Sequence, residues 1–208
     1  AKIKKIAASE SRTMTNMIEF LIKKEIKRYF ASNIYVMNTM VGYILMVAAA
    51  IGLAAAGLDK LESYLQLEGM GGTLPVSLGS MLPFLLSLMV MMGGTTSSSI
   101  SIEGKQWWIP RSLPIPPGLI LDGKMLVNLT FAVPSILLAG TILTVSGQTG
   151  GLKPVWVFLV PLAYACFSSV LGITINLKMP VFNWDNETTV VKQSASTFVS
   201  VLGGMLLA

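Results

Sequence analysis

Long apolar segments alternate with short polar ones along this chain of 208 residues. No Asp, Glu, Lys or Arg occurs in residues 29–58, 69–102, 125–152, 154–177 or 193–208. A helix needs roughly 20 mostly apolar residues to cross about 30 Å of hydrocarbon. The first four segments reach that length and the fifth falls short of it. The pattern predicts an all-α integral membrane protein, a polytopic helical bundle of about five spans with the last one truncated.

Two regions follow from this pattern. Residues 1–33 form a polar lead-in with an amphipathic helix, and residues 34–208 form a transmembrane domain. The spans are predicted at about 33–57, 75–98, 124–145, 154–177 and 194–208. Because the chain does not begin with Met and stops inside an apolar run, we expect it to be a piece of a longer protein.

The helix predicted over residues 14–30 has an apolar side and a strongly basic side. Glu19 stands four residues before Lys23, which is the favourable order for a helical ion pair. A basic amphipathic helix just before a span is expected to lie along the inner membrane surface. Lys24, Glu25 and Arg28 then belong either to an interfacial anchor or to a lever that meets a cytoplasmic partner.

The positive charge follows the predicted topology. The formal net charge is +5, but only 12% of the residues are charged, against about 25% in soluble domains. Thirteen of the fifteen basic residues fall in alternate polar segments. This asymmetry places the N-terminus, residues 101–124 and residues 178–193 in the cytoplasm. Since the basicity is accounted for by topology, nucleic acid is not predicted as a partner.

Several kinds of chemistry are disfavoured by the sequence. With one cysteine and no histidine, the chain cannot form an internal disulfide or a His-based metal site. The apolar runs contain no ionisable residue, which weighs against a gradient-driven carrier. No glycine-rich phosphate loop is present, so any ATP would be bound by another chain. We therefore predict no enzyme activity and no catalytic, cofactor-binding or metal-binding residue.

Residues 48–56 carry a stripe of small side chains. Ala48, Gly52 and Ala56 recur every four residues in the first predicted span. Such spacing lets a second helix approach closely, so the stripe predicts helix packing.

The polar, Trp- and Pro-rich segment 101–124 separates two charge-free runs. Trp107 and Trp108 are expected at headgroup level, where indole rings prefer to lie. Four prolines prevent one continuous helix and allow a new helix to begin near Pro117. From these residues alone, the segment is either a constrained turn with aromatic anchors or a knob that docks a partner.

Short motifs spread over residues 20–200 resemble the bacterial ABC-2 type permeases of ATP-binding cassette exporters, in particular the second half of the long two-half permeases. The matching residues are Lys24–Glu25, Arg28–Tyr29, Ile34–Thr39, Ser99–Trp108, Ser112–Ile115, Gly123–Lys124, Phe182–Glu187 and Val191–Ser194. The resemblance implies a multi-pass permease of the bacterial cell membrane that moves substrate with ATP hydrolysed by a separate ATPase subunit. The implied partners are that subunit, the remaining half of the permease and the lipid bilayer.

The resemblance also implies roles for two segments. The elbow helix would include Lys24, Glu25 and Arg28. The ATPase-coupling loop would include the residues Glu103, Gly104, Lys105, Trp107, Trp108, Ser112, Leu113 and Pro114. The alternative function is a non-transporting membrane scaffold or sensor that docks a cytoplasmic partner through residues 101–124.

Overall fold

The computed structural model describes the backbone of residues 2–67, 78–112, 115–149, 151, 153–191 and 194–207. These residues form helices and connecting turns, with no strand among them. In chain order the α-helices are α1 (Lys2–Ala31), α2 (Asn33–Ala56), α3 (Leu58–Leu67), α4 (Leu78–Met92), α5 (Trp108–Ser112), α6 (Pro117–Val145), α7 (Pro154–Lys178), α8 (Glu187–Val191) and α9 (Ala195–Leu207). A 3-10 helix over Ser101–Gln106 precedes α5. The predicted all-α class is confirmed for this part of the chain.

Three helices have the length and composition of membrane spans. Helices α2, α6 and α7 contain 24, 29 and 25 residues with mean hydropathies of 2.0, 2.0 and 1.9. At about 1.5 Å per residue, each exceeds the roughly 30 Å of a hydrocarbon core. Helix α4 is apolar but has only 15 residues. The number of spans and the cytoplasmic N-terminus therefore stay predictions.

Several predicted boundaries shift in the structure. Helix α1 is continuous from Lys2, where a polar lead-in was expected before residue 14. Helix α6 begins at Pro117, whose fixed φ suits the first turn, so its helix starts seven residues before the predicted span. Helix α4 ends at Met92 and not near residue 98, because Gly93 and Gly94 are followed by Thr and Ser, which favour turns. The predicted start of that span, residues 75–77, lies outside the described residues.

Helix α6 lies at the centre of the bundle, against α1, α2 and α7. Its Ala132, Ile136, Ala139 and Leu143 are fully buried. The spacing of three or four residues places them on one face, as expected for a core-facing stripe. We call the end at which α6 begins and α7 ends the basic end of the bundle.

The small-residue stripe of α2 faces no other helix in the described part of the chain, so its role in helix packing stays a prediction. Ala48, Gly52 and Ala56 are exposed, and a Cβ on Gly52 would meet no atom within 4 Å. The close approach of α2 occurs at Gly42 instead, where a Cβ would lie 2.5 Å from the Met89 carbonyl oxygen of α4. Within the described bundle, the close contact of α2 is thus a single glycine facing the end of α4, which the repeat of small residues did not reveal.

A buried ion cluster beneath an exposed turn

A buried segment without regular α-helix joins α4 to the 3-10 helix at the basic end. Every residue from Thr95 to Gly104 is buried. Buried backbone N–H and C=O groups require hydrogen-bond partners, and turns leave many of them free. Some partners lie within the segment, such as the Thr96 carbonyl that accepts from the Ser99 N–H, and two asparagines from other helices supply others.

Asn128 of α6 binds the start of this segment. Its Oδ1 accepts hydrogen bonds from the Thr95 N–H at 2.8 Å and from the Thr95 hydroxyl at 3.1 Å. Its Nδ2 donates to the Ser169 hydroxyl of α7 at 2.8 Å. One amide thus joins the segment to two helices.

Asn176 of α7 binds the end of the segment in the same way. Its Oδ1 accepts from the N–H groups of Ile100 and Ser101 at 2.8 and 3.1 Å. Its Nδ2 donates to the hydroxyls of Ser101 at 2.7 Å and Ser196 at 3.0 Å. Both asparagines are fully buried, so they fix the backbone that leads into the 3-10 helix.

Lys124 lies one helical turn before Asn128, on the same face of α6. Its side chain is 0% exposed. Its ammonium donates to Glu103 Oε1 at 2.5 Å, to Glu25 Oε2 at 2.9 Å and to the Ser99 carbonyl at 2.9 Å. An ammonium has three N–H donors, so all of them are satisfied.

Two further cations complete this ion cluster, which we define as Lys24, Glu25, Arg28, Glu103 and Lys124. Arg28 lies 3.3 Å from Glu103 Oε2, and Lys24 lies 3.4 Å from Glu25 Oε1. The cluster joins α1, the 3-10 helix and α6. Unlike the exposed pair Glu19–Lys23, which forms at 2.6 Å as predicted, its central charges are shielded from solvent.

The Glu25 carboxyl is ionised within the cluster. Burial raises its pKa, but the charges of Lys124, Lys24 and Arg28 and the hydrogen bond from Lys124 together outweigh that effect. The net result is a pKa below the ordinary 4.5. The carboxylate form is therefore the one that the fold stabilises.

An exposed turn stands directly on this cluster. Gly104, at φ 54° and ψ −135°, reverses the chain after Glu103, and this conformation favours glycine. The Trp184 indole N–H donates to the Ser101 carbonyl at 2.8 Å and closes the base of the turn. Beyond it, Trp108 is 67% exposed and Ile109 is 44% exposed.

The structure divides the residues predicted for the coupling loop into two groups. Lys105, Trp108 and Ser112 are exposed, whereas Glu103 and Gly104 are buried and Trp107 is half-buried. Leu113 and Pro114 lie outside the described residues. Glu103 was expected to offer a polar contact to a partner, but its carboxylate is 1% exposed and is bound by Lys124 and Arg28.

The predicted elbow residues Lys24, Glu25 and Arg28 all belong to the ion cluster. Sequence reasoning missed the roles of Lys124, Asn128 and Asn176. Two signals were present: Asn128 and Asn176 are amides inside charge-free runs, and Lys124 and Asn128 are four residues apart. Among the described residues, no group of three or more His, Cys, Asp or Glu side chains could hold a metal ion.

Comparisons with protein-family models, with curated proteins and with solved structures find no match to this chain. The ion cluster and the exposed turn are therefore the features of this chain that bear on its function.

Proposed function

We propose that the chain is the permease subunit of an ATP-driven exporter of the ABC-2 class, and that a separate ATPase docks on the turn around Trp108. The observation that carries the proposal is the position of Glu103. It lies at the base of the exposed turn and is ion-paired with Lys124 of α6 and Arg28 of α1. A displacement of the turn would therefore move a long apolar helix and the elbow helix together.

The exposed side chains suit a protein partner. Trp108 and Ile109 offer apolar surface, and Lys105 offers positive charge at its edge. Tryptophan is enriched among the residues that dominate binding energy at protein interfaces. A cleft of about 310 Å³ beside the turn, lined in part by Arg28, Lys105 and Glu187, adds polar groups of both signs.

The apolar helices support the membrane part of the proposal. On the charge asymmetry of the sequence, the basic end faces the cytoplasm, where an ATPase would be found. The ion cluster lies at that end and is internally paired, so it serves as a structural link and not as a relay for an ion gradient. Free energy would enter through the docked ATPase and move the helices as rigid bodies.

The test replaces Trp108 by Ala in the full-length protein, with Trp156→Ala as the matched control. Trp156 is 47% exposed but lies in the first turn of α7, at the other end of the bundle. The protein is purified from its native membrane, and ATP hydrolysis and ATP-driven substrate export are measured in liposomes. We expect Trp108→Ala to lower co-purified ATPase activity about tenfold or more, and Trp156→Ala to leave it unchanged.

Two results would contradict the proposal. Full ATPase recovery with Trp108→Ala would show that the turn is not the docking element. Recovery of the wild-type protein with a partner that hydrolyses no ATP would favour the scaffold or sensor function instead. Glu103→Arg is not used as a docking test, because it would place a third positive charge against Lys124 and Arg28 in the interior.

A further inference from the structure

A second cavity is lined by Trp107, whose ring also approaches Lys124 of the ion cluster. It has a volume of about 550 Å³, within the roughly 300–1,000 Å³ typical of ligand pockets. Its lining comes from α5, the first turns of α6, the end of α7 and residues beside these helices. Nine of its ten lining residues are apolar, among them Trp107, Ile115, Ile120, Leu121, Leu177 and Phe182.

The tenth lining residue is Arg111, whose charge has no partner in the described part of the chain. Its side chain is exposed, and no carboxylate of a described residue forms an ion pair with it. Lys178, exposed at the end of α7, follows the lining residue Leu177. On α6, Asp122 lies about 100–160° around the helix axis from the lining residues Pro117, Ile120 and Leu121, given 3.6 residues per turn. The mouth of the cavity is therefore positive.

We propose that this cavity binds an anionic phospholipid of the inner leaflet, with an acyl chain inside and the phosphate at Arg111. An apolar chamber with a guanidinium at its mouth matches a molecule that has an apolar tail and an anionic head, since guanidinium groups bind phosphate oxygens strongly. Inner-leaflet lipids are available at this level because α6 begins and α7 ends beside the cavity. The inference depends on the membrane placement given under the proposed function, but not on transport.

The site would communicate with the ion cluster through Trp107. The Trp107 ring lines the cavity, and its centroid lies 5.8 Å from the Lys124 ammonium, within the range of a cation–π contact. A bound acyl chain would hold this ring against Lys124. Lipid occupancy would then fix the base of the same turn that carries Trp108.

The test places the chain of 208 residues in liposomes that contain acyl-brominated phosphatidylglycerol or phosphatidylcholine with the same chains. Bromine quenches indole fluorescence on contact, and the Trp107 signal is the difference between wild type and Trp107→Phe. We expect half-quenching at about a fivefold lower fraction of phosphatidylglycerol than of phosphatidylcholine, as for one basic residue at an anionic surface. Arg111→Gln should remove this preference.

Lys153→Gln is the matched control, because Lys153 is an exposed cation at the opposite end of α7, and it should keep the preference. Equal quenching by the two lipids in the wild type, or an unchanged preference in Arg111→Gln, would overturn the proposal. So would loss of the preference on adding soluble glycerol phosphate, which would show a site for free phosphate.

If Trp107→Phe does not fold, the ratio of the two lipids retained on purified wild type and Arg111→Gln decides the same question. No ATPase is present, so failure of ATPase docking would not affect this readout.

Discussion

Lys124 shows how one buried residue can fix the positions of its neighbours. An ionised ammonium in the interior is costly unless it is paired and hydrogen-bonded, and here it has two carboxylates and one carbonyl. Because its partners lie 99 and 21 residues away along the chain, one side chain joins three elements. The surface turn is thereby attached to the bundle.

We expect Lys124→Met to lower the free energy of unfolding by about 3–5 kcal/mol, the usual effect of removing one partner of a buried ion pair. Without the Lys124 ammonium, Glu103 would pair with Arg28 and Glu25 would pair with Lys24. Both of these cations are more exposed than Lys124. Denaturant titration in detergent micelles measures the change. Lys23→Met is the control, because it removes an ion pair of the same type that is exposed, and its midpoint should not move measurably. Equal shifts in both variants would show that burial of the cluster contributes nothing.

The sequence predicted the surface pair better than the buried cluster, and the reason is physical. Glu19 and Lys23 pair through local helical geometry, which their spacing determines. The partners of Lys124 depend on how α1 and the 3-10 helix pack on α6, and no local pattern contains that information. Asn128 and Asn176 were detectable as unusual residues in apolar runs, but the backbone groups that they bind were not.

Among the elements, the 3-10 helix is the one whose conformation most constrains the site. Gly104 has a positive φ, and a Cβ there would lie 3.1 Å from the Trp184 Nε1 and 3.3 Å from its Cε2. The indole is held by its hydrogen bond to Ser101, so it cannot move aside without losing that contact. The glycine is therefore required both by its dihedral angles and by the ring beside it.

We expect Gly104→Ala to destabilise the protein by about 1–3 kcal/mol, because alanine would be strained at this φ and would press on Trp184. Thermal unfolding followed by tryptophan fluorescence measures the effect. Gly118→Ala is the matched control: Gly118 lies in the first turn of α6 with open space around it, so alanine should be neutral or stabilise by up to about 1 kcal/mol. A neutral Gly104→Ala would mean that the turn relaxes freely.

Element boundaries were predictable where a single strong signal determines them. Helix α7 begins at Pro154 as predicted and ends at Lys178, within one residue of the predicted span. The end of α4 was mispredicted, because the charge-free run continues through the buried Ser and Thr residues after Met92 while the helix does not. Burial of that segment depends on two amides from other helices, which a hydropathy pattern does not show.

At the scale of the whole molecule, the ion cluster makes the protein less stable at acidic pH. Since the pKa of Glu25 is lower in the folded chain than its ordinary 4.5, folding favours the carboxylate. The contribution of Glu25 to the free energy of unfolding is complete above about pH 4.5. It is lost as the pH falls through the lower pKa of the folded state. We expect the free energy of unfolding to decrease below pH 4.5, as measured by denaturant titrations at a series of pH values.

Glu25→Gln should weaken this decrease in the free energy of unfolding below pH 4.5, whereas Glu19→Gln should leave it nearly unchanged. The pKa of Glu19 is also lowered, by its hydrogen bond and charge interaction with Lys23, but that pair is exposed and solvent screens it. If the free energy of unfolding falls as steeply below pH 4.5 in Glu25→Gln as in the wild type, other groups cause that fall.

The two asparagine contacts have a consequence for the order in which the protein assembles. The N–H of Thr95 is bound by a residue 33 positions later, and the N–H groups of Ile100 and Ser101 by one 76 and 75 positions later. During synthesis the Thr95 N–H therefore lacks this partner until α6 has been made, and the N–H groups of Ile100 and Ser101 lack theirs until α7 has been made. In a bilayer, unpaired groups are strongly disfavoured away from water. The early chain should therefore keep this segment in contact with water until Asn128 binds its start and Asn176 binds its end.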